Sequence, residues 1–428
     1  MTRRAWWLVA LNFLAPGSAQ LLAGDRRVGK VGVVSTFVMW GVTLLALVLL
    51  WLWPVALYTV VASPIVLFIV QWVLVLYAVL WIVLTFDTLR IVRLVKTFPR
   101  ARFVIAVASI VGLVAAGGVA GYGATVAGAA RSAITQVFGG GDIVPPVEGR
   151  YNILLLGGDA GPDRLGLRPD SISVASIDAQ TGATVIIGIP RNMERIRFVD
   201  GSPLYGLFPN GYDCGDQCLI NYLYTEAEKH PELYPDVEKK GSSAGIEAMR
   251  DAAEGVTGLT LQYFVLIDMQ GFSDLIDSLG GITIDVPEDT ELGSAERGAK
   301  PFALVPAGEQ HMDGFTALWY SRTRYNSTDY ARMNRQRDVQ EAILRQFTPA
   351  NVLSKFQGVA QAGSKVVVTD IPSTMLGVFV DLASKSRKLP VTRLDLVPDR
   401  FEPAHPDYEL ISQAIKNALN ESSPPPKQ

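Results

Sequence analysis

No lysine or arginine occurs between residues 31 and 89, and no other feature restricts the possible folds as severely. Within that gap, 31–53 and 66–86 are predominantly apolar runs, separated by a short apolar connection between Pro54 and Pro64. A third run, rich in glycine and alanine, covers 103–124. At ~1.5 Å per helical residue, ~20 residues cross the ~30 Å hydrocarbon core of a bilayer. The sequence therefore predicts three transmembrane helices, with residues 1–128 as a membrane anchor. Arg3, Arg4, Arg26, Arg27 and Lys30 precede the first run, and Arg90, Arg93, Lys96, Arg100 and Arg102 lie between the second and third. Both clusters are expected on the cytoplasmic side. Three spans then place everything beyond residue 128 outside the cytoplasmic membrane. The apolar stretch 5–14 is too short to span and is broken by Pro16-Gly17, so it reads as interfacial or re-entrant. A cleaved signal peptide is disfavoured, because apolar material continues far past any cleavage site.

Gly139-Gly140-Gly141 and Pro145-Pro146 mark 129–148 as a linker. Residues 149–422 read as the extracytoplasmic domain, and 423–428 as a disordered tail. Short apolar runs at 152–156, 171–178 and 184–189 end in Gly, Asp or Pro-Arg and predict buried strands. An irregular stretch follows at 192–220. Helices are expected at 221–229, 243–256, 271–279, 309–318 and 330–347, the last capped by Asp329. Further strands are expected at 262–268, 282–286 and, as a short extended piece, 319–322. Strands alternating with helices indicate an α/β domain. Cys214 and Cys218, in a loop reading CGDQC, are expected to form a small disulfide outside the cytoplasm. Two cysteines make no disulfide framework, and three scattered histidines make no metal cage.

Three groups of polar residues carry chemistry. Asp159 and Asp170 flank the first two predicted strands, and Arg191 follows the third. Ligands gather at strand ends in open α/β sheets. Paired carboxylates suit Mg2+, a hard ion that takes carboxylate, water and phosphate oxygens; each aspartate alone is as readily a turn or cap residue. The third group is SRTRYNSTDYARMNRQR, with Arg322, Arg324, Arg332, Arg335 and Arg337 within sixteen positions. Arg322 and Arg324 alternate along the expected extended piece, and Arg332, Arg335 and Gln336 share a helix face. Planar bidentate guanidinium groups suit phosphate oxygens. The alternative is a solvated face, or salt bridges to Asp329, Asp338 and Glu341. A nucleic-acid groove is disfavoured by the net charge of −3 and the expected location.

Four blocks in this order resemble the LytR–CpsA–Psr (LCP) family of cell-wall glycopolymer transferases: NILLLGGDAG with RPDSISVASID; VIIGIPRN; LINYLYTEAE with YFVLIDMQGFSDLIDSLGGITIDVP; and GEQHMDGFTALWYSRTRYNSTDYARMNRQRDVQEAI. The resemblance covers about 151–347. It implies an LCP-type fold, a central mixed sheet flanked by helices, with a long apolar pocket for a polyprenyl chain. It also implies a Mg2+-assisted phosphotransferase that moves a glycopolymer from a polyprenyl-pyrophosphate carrier to peptidoglycan. By motif, Asp159 and Asp170 match the metal-linked carboxylates, with Asp170 and Arg191 catalytic. Arg191, Arg322, Arg324, Arg332, Arg335 and Gln336 match pyrophosphate-binding positions. Departures are Ala160-Gly161 where the family often has an arginine, Arg168-Pro169-Asp170-Ser171 for Arg-Ser-Asp-Thr, and Asn192 for aspartate. The rival readings are a polyprenyl-pyrophosphate phosphohydrolase and a non-catalytic carrier-binding regulator of the wall.

Overall fold

The computed structural model describes residues 2–92, 98–138, 141–159, 168–215, 217–293, 300–346 and 367–423. They form two compact units, Met1–Ser132 and Ala133–Gln428. The first is helical: α1 (Thr2–Leu14), α2 (Ser18–Ala23), α3 (Arg26–Leu52), α4 (Pro54–Val61), α5 (Pro64–Val92) and α6 (Pro99–Val137). Helices α3, α5 and most of α6 are long and apolar enough to cross a membrane. Their large apolar side chains, Trp51 and Phe86 among them, point outward, a surface matched to lipid. Helix α6 runs to Val137, so 129–137 of the expected linker is helical; nothing in α6 breaks the pattern before Gly139.

The stretch read as interfacial or re-entrant is helix α1, which turns at Pro16-Gly17 into α2 and packs on α5. Asn12 Nδ2 donates to Thr85 Oγ1 at 3.0 Å, and Gln20 Nε2 donates to Leu84 O at 2.8 Å. Gly17 makes the turn because its φ of +99° is left-handed and a Cβ there would lie 2.7 Å from Gly29 O.

The second unit is an α/β domain built on a six-stranded sheet. Its elements in order are β1 (Arg150–Asp159), β2 (Arg168–Asp178), β3 (Thr184–Ile189), α7 (Ile220–Ala227), α8 (Ala244–Thr257), β4 (Tyr263–Asp268), α9 (Met269–Leu279) and β5 (Ile282–Val286). Then follow β6 (Thr290–Leu292), β7 (Ala303–Val305), β8 (Gly308–Met312), α10 (Gly314–Arg322) and α11 (Asp329–Gln346). The last four are β9 (Val367–Thr369), α12 (Leu376–Ser386), β10 (Thr392–Asp395) and α13 (Tyr408–Ser422). The sheet order is β10-β3-β2-β1-β4-β9. It is mixed: β1–β4 and β10–β3 are parallel, while β1–β2, β2–β3 and β4–β9 are antiparallel. Two small hairpins, β5–β8 and β6–β7, stand apart.

The central strands are apolar on both faces, and the two faces do different work. Side chains alternate along a strand. Leu154, Leu156, Ile172, Val174, Val185 and Ile187 pack with α7, α8 and α13 into the main core. The residues between them, Ile153, Leu155, Ala175, Ile177 and Ile186, line a cavity instead.

Three sequence expectations change here. The helix expected at 309–318 begins only at Gly314: 308–312 is strand β8, paired with β5, and Asp313 then caps α10 by accepting from Thr316 N at 2.8 Å. Residues 319–322 are therefore helical, not extended. Asp329 is not the cap of α11; Thr328 Oγ1 accepts from Ala331 N at 3.1 Å, which leaves the Asp329 carboxylate for another role. Cys214 and Cys218 are disulfide-bonded. The expected disordered tail lies, from residue 424 on, outside the described residues.

Candidate functional site

The cavity, about 430 Å³, lies between the sheet and helix α11. Helix α11 supplies a stripe at helical spacing: Arg332, Gln336, Val339, Gln340, Ile343 and Leu344. From Arg332 to Leu344 is about 18 Å at 1.5 Å per residue. The stripe is polar at its N-terminal end and apolar at its C-terminal end. The cavity is therefore an apolar tunnel with a charged mouth.

The mouth is set by the ends of β2 and β3. Along β1–β2, Gly157 pairs with Ser171 and Gly158 with Pro169. Asp170 is thus the extra residue of a β-bulge, a device that re-aims a side chain. Ile172 pairs with Ile189, and continuing that register sets Asp170 across from Arg191. Arg191 Nη1 donates to Asp170 Oδ1 at 2.6 Å, and its Nε lies 3.3 Å from Asp329 Oδ1. Arg332 Nη2 donates to Asp329 Oδ2 at 3.2 Å and to the Asp170 carbonyl at 3.1 Å. Arg324 Nη1 lies 3.9 Å from Asp329 Oδ1. Arg322 lines the mouth and stacks over Trp319.

Burial pulls the Arg191 pKa down, but Asp170 and Asp329 outweigh it and leave it above the ordinary arginine value. Arg332 is the opposite case. Burial lowers its pKa, and the pull of Asp329 is too weak to restore it. Its side chain is almost fully enclosed, yet Arg332 Nε has no hydrogen-bond partner, and neither does the buried Gln336 Oε1. A buried guanidinium short of partners is costly unless an anion completes it. Among the described side chains the mouth holds Arg191, Arg322, Arg324 and Arg332 against Asp170, Asp329 and Asp268, which also lines the cavity, a surplus of one positive charge.

The LytR_cpsA_psr family model matches residues 128–413. The chain belongs to this family. Among relatives of LCP type, TagV of Bacillus subtilis, named a polyisoprenyl-teichoic acid–peptidoglycan teichoic acid transferase, is 25% identical over 265 residues, 59% of this chain and 60% of that protein. Biofilm regulatory protein A of Streptococcus mutans is 26% identical over 54% of this chain and 53% of its own length. The chain thus spans little more than half the length of these two relatives. TagU of Enterococcus faecalis, which bears the same transferase name, is 26% identical over 63% of this chain and 80% of its own. The crystal structure of B. subtilis TagV aligns with a TM-score of 0.46 at 22% identity, over 64% of this chain and 98% of that one.

Of the residues assigned by resemblance to the LCP motifs, the fold brings Asp170, Arg191, Arg322, Arg324, Arg332 and Gln336 to the mouth. Arg322 and Arg324 do not point together: Arg322 closes the last turn of α10, while Arg324 lies beyond it and reaches toward Asp329. Arg335 faces elsewhere. It is buried, and its guanidinium donates to the carbonyls of Tyr320 and Thr323 and to Ser327 Oγ at 3.2 Å. It holds the 320–327 turn in place of a ligand. Asp159 ends β1, paired through the backbone with Arg168; its side chain lies outside the described residues. No group of three or more His, Cys, Asp or Glu converges among the described residues. The sequence offers salt bridges to Asp329 only as the alternative to a phosphate clamp; the fold puts that carboxylate between Arg191 and Arg332 at the mouth itself, the latter at i,i+3 on one helix face.

Proposed function

We propose that this chain is a membrane-anchored phosphotransferase that attaches a glycopolymer, carried on a polyprenyl pyrophosphate, to peptidoglycan on the outer face of the membrane. The observation that carries this reading is the tunnel with its incomplete cationic mouth. An isoprenoid chain fits the apolar stretch, and a pyrophosphate oxygen supplies the acceptor that Arg332 Nε lacks. The names of TagV and TagU, which specify teichoic acid transfer to peptidoglycan, support the same reaction class.

In the proposed step, an acceptor hydroxyl oxygen forms a bond to the glycan-side phosphorus. The bond from that phosphorus to the bridging oxygen breaks, and polyprenyl phosphate leaves with the electron pair. The hydroxyl proton passes to Asp170 or to water. Arg191 and Arg332 neutralise charge that grows on the leaving phosphate, the principal requirement of phosphoryl transfer. One or two carboxylates plus substrate phosphates are a sufficient donor set for Mg2+, so Asp170 at the mouth, joined by Asp159 on the motif resemblance, would hold that ion. When bound, the ion would offset phosphate charge.

The test incubates the full chain in detergent with Mg2+, a polyprenyl-pyrophosphate-linked glycan and a peptidoglycan oligomer, with mass spectrometry as readout. A glycan-phosphate adduct on the oligomer, absent with Asp170→Ala and reduced at least about 100-fold with Arg191→Ala, supports the transferase. Free glycan phosphate without adduct identifies a hydrolase. Tight carrier binding without either product identifies a carrier-binding regulator.

A further inference from the structure

Helix α10 has a second face that the tunnel does not use. Leu318, Ser321 and Arg322 line the mouth. Phe315 points away, and Trp319, one turn on, is half-buried at its base, packed against the core around Ile282 and Tyr320, with Arg322 stacked over its ring. Phe302, just before β7, completes a cluster. Its ring centroid is 4.9 Å from that of Trp319 at 80°, and 6.1 Å from that of Phe315. Phe302, Leu304 and Phe315 are 52%, 54% and 55% exposed, and contiguous exposed apolar surface of this kind marks a binding site. Glu291 pairs across the hairpin with Leu304, so the two side chains share a face. The Glu291 carboxylate accepts from Asn326 Nδ2 at 2.8 Å.

Three properties decide the occupant. Aromatic faces beside a carboxylate, an amide and a guanidinium suit a pyranose ring, which has an apolar C–H face and a hydroxyl rim. An anionic lipid surface does not suit the patch. Asp285, Glu288, Asp289, Glu309 and Asp313 are all exposed on the neighbouring hairpins, with Lys300 as the one described lysine or arginine among them, and anionic leaflets attract basic segments. Finally, the patch is continuous with the mouth through Arg322. The donor sugar is already tethered there by its pyrophosphate, whereas the acceptor arrives free and needs a surface to orient it.

We propose that Phe302, Phe315 and Trp319 form a platform that stacks a neutral sugar of the acceptor glycan and presents its hydroxyl to the cationic mouth. They are positioning residues, and the proposal rests on reading that mouth as the reaction centre.

The test uses the full chain in phosphatidylglycerol nanodiscs and an N-acetylglucosamine tetramer as probe, with calorimetry and hydrogen exchange as readouts. The expected result is tetramer binding that protects 302–304 and 315–319. Binding falls about tenfold or more in Phe302→Ala and Trp319→Ala and returns in Phe302→Tyr, the loss of one or two aromatic contacts. Farnesyl pyrophosphate binding stays unchanged in Phe302→Ala, which shows that the variant is folded. No tetramer binding, or equal binding by wild type and variants, overturns the platform. Protection of the same segments by the nanodisc alone, with no effect of tetramer, overturns it in favour of a membrane contact. If farnesyl pyrophosphate fails to bind wild type while the tetramer binds through Phe302, the reading of the mouth fails and with it the presenting role, and the aromatic cluster stands as a sugar-binding surface alone.

Discussion

Asp329→Asn should destabilise the domain and yet make it respond more strongly to pyrophosphate. The Asp329 carboxylate lies 3.3 Å from Arg191 Nε and 3.2 Å from Arg332 Nη2, with Arg324 at 3.9 Å. At an effective dielectric of about 20, each of the two close contacts is worth about 5 kcal/mol before desolvation. The carboxylate is about one-fifth exposed, so desolvation and screening reduce the pair to about 2–4 kcal/mol together. Without it, Arg191 and Arg332 share Asp170 alone and repel each other. For a domain of this size, about 1 kcal/mol moves the melting temperature by about 2–4 °C, so the expected fall is roughly 4–16 °C. Inorganic pyrophosphate is an anion that takes the place of the lost carboxylate. It should therefore raise the melting temperature of the variant more than that of wild type, and bind it about tenfold tighter. The assay is thermal unfolding of both full-length proteins in detergent, across a pyrophosphate titration. Melting temperatures within about 1 °C of each other without ligand, or equal shifts with it, would refute the charge-network reasoning.

Arg335→Met should lower stability by about 2–4 kcal/mol, because it strands the Tyr320 and Thr323 carbonyls. At temperatures where the variant is folded, its pyrophosphate affinity should stay within about twofold of wild type; a large loss would return Arg335 to the clamp. Ala175→Phe projects a ring from β2 into the tunnel and should weaken geranylgeranyl pyrophosphate at least about tenfold while leaving inorganic pyrophosphate unaffected; equal effects on both ligands would show that the lipid lies elsewhere. Burial, reinforced by Glu226, pushes the Tyr212 phenol up to about 12. Its folded value exceeds its unfolded value of about 10, so its contribution is complete below pH 10 and is lost as pH rises from 10 through 12. That loss amounts to about 3 kcal/mol and should shrink in Tyr212→Phe, as read by chemical denaturation across that range; an identical alkaline loss in the variant would exclude Tyr212 as its source.

The parts legible in the sequence are those whose signal is local. Apolar length alone marks α3, α5 and α6. The strands β1, β2 and β3 announce themselves because both faces are apolar, one for the core and one for the tunnel. Strand β8 was hidden because GEQHM lacks alternating apolar residues. It exists through its pairing with β5, a contact remote in sequence. The bulge that aims Asp170 was hidden for a related reason, since it is a mismatch between two strands and belongs to neither alone.

The arginines of α11 show where periodicity stops. At 100° per residue, Arg335 and Gln336 stand 60° and 40° to either side of Arg332, so all three belong to one broad face by sequence, and Arg337 projects away. In the fold, Arg332 and Gln336 enter the tunnel. Arg335, only 60° away, meets the end of α10 and satisfies its carbonyls. Arg337 runs along the sheet to Asp395 at 3.1 Å and is fully buried. Helical spacing fixes the direction in which each guanidinium leaves the helix, but the packing of α10 and β10 decides what it meets there. Three arginines with the same chemistry thus acquire three roles, and only Arg332 keeps donor capacity that the protein does not fill. Unfilled capacity in a buried cation, rather than the count of arginines in the motif, is what separates the ligand-facing residue from its structural neighbours.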